Sequence, residues 1–226
     1  MSPRFLVVVP AYNEADTIRE VAGRASRHAD VCVVDDASTD GTAELAASLP
    51  RVQVVRHASN THIAGAILDG FRHARARGYD HCITMDAGLS HDPDAIPAFQ
   101  ARADADLVLG WRARREGVPA LRVGLSLAAN ALMNLALERR ALPWGGAGLR
   151  DCTSGFRMYS RRAFELLLDA PLRSRAFDFH IEALALVYRA GLAIAEIPIA
   201  YRFTNSSLRR EIVVEALRTC GRLWRV

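Results

Sequence analysis

Lysine is absent: every one of the 29 basic residues in the 226-residue chain is arginine. With abundant alanine this reads as the coding bias of a GC-rich genome, and it supplies rigid, permanently charged forks suited to phosphate. Also missing are the glycine-rich cradles GxGxxG and GxxxxGK[ST], so the usual dinucleotide and P-loop readings fail. No two of the four cysteines (Cys32, Cys82, Cys152, Cys220) form a CxxC pair. Cys32 and Cys82 lie in apolar runs, which points to buried free thiols in a reducing compartment rather than disulfides or zinc ligands. No stretch offers about twenty uninterrupted apolar residues. The nearest, Val118 to Leu137, is broken by Arg122, Gly124, Ser126, Asn130 and Asn134. Met1 to Val9 runs straight into a strand without the basic and cleavage regions of a signal peptide. A soluble, cytoplasmic protein is the expectation. The net charge of +4 permits an anionic ligand but does not make the chain a nucleic-acid binder.

What is present is ordinary globular composition, 50% apolar and 24% charged. The length suits one α/β domain, here in two unequal halves, 1–115 and 116–226. Apolar β-rich runs predict strands at Phe5–Val9, Val31–Val34, Val52–Val55, His81–Met85, Leu107–Leu109 and Ala193–Ile197. Helical patterns lie between them. One runs from about Glu14 to Arg27 with Asn13 as N-cap, another from Ile63 to Ala76, and a third opens at Asp92-Pro93. In the second half, helices are expected at Leu121–Arg139, Arg161–Leu168, Asp178–Ala190 and Arg209–Val226. Strands alternating with helices imply a mostly parallel central sheet with helices on both faces.

In such a sheet, ligands bind beyond the carboxyl ends of the strands. Polar residues gather there: Pro10-Ala11-Tyr12-Asn13-Glu14, Asp35 to Asp40, Asp86 to Asp92, and Gly110-Trp111-Arg112. Carboxylates repel a diphosphate unless a divalent cation lies between them, so this acidic edge suggests a metal–nucleotide ligand or hydrogen bonds to ribose and base. Asp86 follows the apolar Ile83-Thr84-Met85, where an unpaired carboxylate is costly, which favours a functional role. Asp40 and Asp92 read as turn or cap residues. His180 lies either beside an acceptor channel or on plain helix surface.

These segments carry a resemblance. Val8-Val9-Pro10-Ala11-Tyr12-Asn13-Glu14, Val33-Val34-Asp35-Asp36-Ala37-Ser38-Thr39-Asp40-Gly41-Thr42 and Met85-Asp86-Ala87-Gly88-Leu89-Ser90-His91-Asp92-Pro93 are three of its pieces. Asp151-Cys152-Thr153-Ser154-Gly155-Phe156-Arg157, Phe177-Asp178-Phe179-His180-Ile181-Glu182 and Glu196-Ile197-Pro198-Ile199 with Tyr201-Arg202-Phe203 continue it. The chain resembles the family-2 glycosyltransferases of GT-A (Rossmann-like) fold, most closely their polyprenol (dolichyl) phosphate mannose synthase branch.

The resemblance implies an inverting enzyme moving a hexose, mannose above all, from a nucleoside-diphosphate sugar, GDP-mannose favoured, to polyprenyl phosphate at a membrane surface. Pro10, Tyr12 and Glu14 would line base and ribose, with Asp36 contacting the base. Asp86 would hold the metal, as the first carboxylate of the family's DxD. Arg112 would meet the donor phosphates, Arg157 and Arg202 would face a phosphate of donor or acceptor, and Asp151 and Glu182 would lie near sugar and acceptor.

Two positions depart from the pattern. The second carboxylate of DxD is Gly88, and the next candidate holds Ser90, so dependence on Mg2+ or Mn2+ is expected to be weak or optional. A hard cation wants about six oxygens. Asp86, the donor diphosphate and waters would complete the shell, with His91 joining if the ion is manganese. After Arg202 the branch has a Gly-x-Ser-Lys motif, where this chain has Asn205-Ser206-Ser207-Leu208 followed by Arg209 and Arg210.

A lipid monophosphate is already anionic near neutral pH and needs no strong base, since a second phosphate pKa lies near about 6. A hydroxyl acceptor would need one, with Asp178 or Asp151 as candidates. That hydroxyl-directed enzyme, or a sugar-nucleotide-binding protein impaired by Gly88, is the alternative reading. The Leu121–Arg139 helix and the amphipathic tail either join the core or lie on anionic headgroups.

Overall fold

The computed structural model describes residues 2–138, 147–203 and 219. The strands are β1 (Phe5–Ala11), β2 (Asp30–Asp35), β3 (Val52–Arg56), β4 (His81–Thr84), β5 (Leu107–Glu116), β6 (Arg157–Ser160) and β7 (Ile194–Arg202). They form one sheet in the order β3-β2-β1-β4-β6-β5-β7. The helices are α1 (Ile18–Ala25), α2 (Thr42–Ala47), α3 (His62–Arg77), α4 (Ile96–Gln100), α5 (Ala120–Leu137), α6 (Arg161–Asp169) and α7 (Asp178–Arg189).

The parallel arrangement follows from the apolar runs. A strand covered on both faces has no polar face to show, and alternate residues of β1 serve two cores. Leu6 and Val8 enter a cluster with Ile67 and Phe71 of α3, Phe164 of α6 and Leu184 of α7. Val7 and Val9 enter another with Ile18 and Val21 of α1 and Phe99 of α4. The helices therefore occupy both faces, as expected. Cys32 and Cys82 are buried free thiols, and burial pushes the Cys32 thiol up to about 12.

Four expectations are corrected. The helix read as starting at Glu14 begins at Ile18, and Asn13 is no N-cap: it lies at φ 54° and joins the loop beyond β1 to the one beyond β2. No strand is expected between Leu109 and Ala193, yet β6 inserts antiparallel between β4 and β5. Four residues led by an arginine are too few for strand periodicity, and only the neighbours reveal the pairing. β5 and β7 also run past their apolar cores, pairing in parallel as far as Glu116 and Arg202 across an irregularity at Arg112–Arg114. The Arg209–Val226 segment, apart from Thr219, and the Asn205–Arg210 departure lie outside the described residues. Among the described residues no helix is long and apolar enough to cross a membrane.

Candidate active site

The loops that follow β1 and β2 are stapled together. The Asn13 amide donates to Ser38 Oγ, the Thr39 amide to Asn13 Oδ1 and the Glu14 amide to Thr42 Oγ1, each at 2.9 Å. Asp40 accepts from the Ala15 and Thr42 amides, which makes it the turn residue its spacing predicts. Asn13 and Ala37 both hold left-handed backbone, Ala37 at φ 66°. Such strain in non-glycine residues persists only where surroundings impose it, and it clusters at functional sites. It leaves Tyr12 exposed at the rim and brings the Glu14 carboxylate into the field of Asp86. Burial, reinforced by Asp86, Asp40 and Asp16, raises the Glu14 pKa against the opposing hydrogen bond from Thr17.

Asp36 is nearly buried. Its Oδ1 receives the Thr61 amide at 2.7 Å and the Thr61 hydroxyl at 2.9 Å, and it meets His57 Nδ1 at 2.8 Å. Asp35 is fully buried, neither of its carboxylate oxygens hydrogen-bonded among the described residues, and Arg56 Nε stands 3.5 Å from its Oδ2. Asp92 caps the turn at Pro93–Ala95, as expected, by accepting from the Asp94 amide.

The second side of the site is an arginine–carboxylate pair. Asp151 accepts from Arg112 Nε at 2.6 Å and Nη2 at 2.9 Å, from the Arg112 amide at 3.3 Å and from both polar groups of Thr153. Burial alone would raise the Asp151 pKa, but the hydrogen bonds and charge of Arg112 override it and hold the carboxyl at about 2. Arg112 Nη2 also meets Thr153 Oγ1 and Ser126 Oγ of α5, and its guanidinium lies 5.4 Å from the Tyr201 ring centroid. Nη1 makes no hydrogen bond among the described residues. The fork is oriented at one edge and open at the other.

Arg115, which the sequence did not single out, places Nη2 4.0 Å from Asp151 Oδ2. Two guanidiniums thus share one buried carboxylate and leave this wall positive. The run Arg112-Ala113-Arg114-Arg115 at a strand end was the signal. Glu196 fixes the loop by accepting from the Arg150 amide at 2.8 Å.

The remaining sequence candidates separate. Arg202 is exposed at the end of β7, with Nε 3.5 Å from Glu116. Its amide donates to Ser90, tying β7 to the Asp86 loop. Arg157 points inward: it is fully buried, and its guanidinium donates to the carbonyls of Ser154, Cys152 and His180 at 2.6–2.7 Å. Glu182 turns to the segment before α7, where it accepts from the Arg173 and Ser174 amides and the Ser174 hydroxyl. Asp178 accepts from the Ala176 amide and from Thr219 of the tail. These three side chains build the walls of the site.

Asp86 keeps a partly exposed carboxylate, 3.6 Å from His91 Nδ1. His91 is buried between Phe156 and Tyr201, and burial lowers its pKa. Among the described residues, no three His, Cys, Asp or Glu side chains form a ready cation site. A cation would rest on Asp86 and ligands outside this loop. The buried imidazole of His180, whose nitrogens have no partner among the described residues, borders the same space beside Gly155 as Asp86, so the surroundings suit such an ion.

The profile of the family described as Glycosyl transferase family 2 matches residues 6–168. The undecaprenyl-phosphate mannosyltransferase of Micrococcus luteus is 33% identical over 95% of this chain and 91% of that protein. The polyprenol monophosphomannose synthase of Mycolicibacterium smegmatis is 32% identical over 88% of this chain and 77% of its own. Among solved structures, glucosyl-3-phosphoglycerate synthase of Mycobacterium tuberculosis superimposes with a TM-score of 0.71 at 22% identity, covering 97% of this chain and 80% of that one.

Proposed function

The chain belongs to glycosyltransferase family 2 and has its GT-A fold, and from that premise we propose that it transfers a hexose, mannose favoured, from GDP-mannose to a polyprenyl phosphate at a membrane surface. The observation that carries this reading is the pairing of Arg112 with Asp151 opposite Asp86, at the carboxyl edge of the sheet. Asp151 fixes two nitrogens of the fork and leaves Nη1 for an anion. That preorganised charge suits a departing nucleoside diphosphate, because it acts where charge develops and needs no reorganisation.

The carboxylates favour a phosphate acceptor over a hydroxyl. A general base needs a pKa near the working pH. Asp151, held at about 2, is a poor one, and Asp178 is buried and engaged by Ala176 and Thr219. Glu14, whose pKa is raised, sits on the donor side. A phosphate oxygen attacks without such help, displacing the nucleoside diphosphate with inversion at the anomeric carbon. A divalent cation, held by Asp86, would neutralise part of the diphosphate charge. Arg115 adds positive charge on the same wall as Arg112.

The exposed Leu125, Leu127 and Leu132 of α5 support peripheral membrane contact, since an interfacial helix buries such side chains among acyl chains. Polyprenyl phosphate presents its phosphate at that level, so α5 would set the acceptor beside Ser126 and Arg112.

The test is transfer by purified protein to a short polyprenyl phosphate from GDP-mannose, UDP-glucose or UDP-GlcNAc, with the lipid product read by mass spectrometry. Mannosyl phospholipid from GDP-mannose alone is expected. Another sugar corrects the donor, and nucleotide binding without any lipid product removes the acceptor from the reading.

A further inference from the structure

His180 of α7 is 1% exposed, and among the described residues neither ring nitrogen has a hydrogen-bond partner. Leaving a buried polar group unmatched costs about 1–3 kcal/mol, so an unpartnered imidazole in a well-packed core calls for a reason. Gly155 is beside it. A Cβ on Gly155 would stand 3.0 Å from His180 Nε2 and 3.4 Å from Asp86 Oδ1. The imidazole and the carboxylate thus both border the space a Gly155 side chain would fill. That gap exists because residue 155 lacks a side chain, and its backbone is not left-handed, so the conformation itself does not demand glycine.

The walls of the gap are fixed. The Gly155 carbonyl accepts from Thr84 Oγ1 at 2.8 Å, and the His180 carbonyl accepts from the buried Arg157. Burial, with Arg157 and His91 nearby, keeps the His180 pKa well below its ordinary value, so the ring is neutral and one nitrogen carries a lone pair. His91 is a poorer donor toward the gap. Its Nδ1 faces the Asp86 backbone amide at 3.5 Å, and its ring packs on Phe156. On the opposite side, Gly88 offers Asp86 no second carboxylate.

We propose that His180 is a protein ligand for the divalent cation of the donor site, its Nε2 and the Asp86 carboxylate both reaching the ion at the space Gly155 leaves open. The inference rests on reading this edge as the nucleotide-sugar site. Metal–oxygen and metal–nitrogen bonds of about 2.1 Å are shorter than the 3.0 and 3.4 Å from the two donors to that Cβ position, so an ion there draws both donors in. Binding is weak for the metal alone and tightens when donor phosphates complete the shell. A nitrogen ligand also moves preference from Mg2+, which takes oxygen, toward Mn2+.

The experiment is pulsed electron paramagnetic resonance of Mn2+ on the full chain, with Mn2+ alone and with Mn2+ plus GDP, alongside a binding titration. One imidazole nitrogen coupled to Mn2+ is expected in the GDP complex. His180→Gln abolishes the coupling and weakens Mn2+ binding by on the order of tenfold. Gly155→Ala, which fills the gap and leaves His180 in place, does the same, and it serves if His180→Gln does not fold. His91→Gln keeps the coupling. Absence of nitrogen coupling in the native protein overturns the proposal, as does coupling that survives His180→Gln or vanishes in His91→Gln. Sugar transfer without coupling overturns this ligand and leaves the function standing. Coupling without transfer does the reverse.

Discussion

Asp151→Asn is the perturbation whose size follows most directly from the structure. The Asp151 carboxyl is held at about 2 in the fold against an ordinary value of 3.8, and it is only 2% exposed, so little solvent screening applies. That difference corresponds to roughly 2.5 kcal/mol of stability carried by the ionised form. Because the folded pKa is depressed, that contribution is complete above the unfolded value of 3.8 and is lost as pH falls through about 2. Asparagine removes the charge and leaves Arg112 largely buried without its counterion, a situation that costs up to about 3–5 kcal/mol. The expected loss at neutral pH is therefore about 2–4 kcal/mol, seen in urea unfolding and as a fall in Tm of roughly 5–10 °C for a chain of this size. The gap between native protein and variant should stay constant at pH well above 3.8 and narrow below it. A neutral-pH loss under about 0.5 kcal/mol, the range of an ordinary surface change, would refute the claim that this pair organises the site.

Gly88→Asp should fold normally, within about 0.5 kcal/mol, because a Cβ there meets nothing within 4 Å among the described residues. It should strengthen metal binding by on the order of tenfold, read by calorimetry and by chelator sensitivity of transfer; an unchanged metal response would show that the second carboxylate is not missed. Arg157→Met should cost about 3 kcal/mol or more in urea unfolding, because three buried carbonyls lose their donor. A variant that melts with the native protein but binds donor or acceptor poorly would return Arg157 to the phosphate role.

Much of the fold was legible. Strands such as Val31–Val34 are continuous apolar runs because both faces are covered, and the polar clusters fall at their carboxyl ends because ligand-binding backbone is free there. Asp40 and Asp92 were readable as local caps, since a capping hydrogen bond spans only a few residues. β6 was not readable. Its place between β4 and β5 depends on hydrogen bonds to strands more than forty positions away, which no local pattern records.

The site divides in the same way. Residue types and spacing alone determined that an acidic edge gathers at the strand ends and that arginine supplies all the permanent positive charge; the missing second carboxylate at Gly88 was read from the family resemblance. Tertiary structure decided where the arginines point. Arg112 and Arg115 converge on Asp151, whereas Arg157 turns inward onto three carbonyls, and nothing in a one-dimensional pattern separates a guanidinium paired with a carboxylate from one saturated by backbone. It also set His180 and Asp86 beside Gly155. Partners and burial are properties of distance, and distance between residues remote in sequence is created by packing.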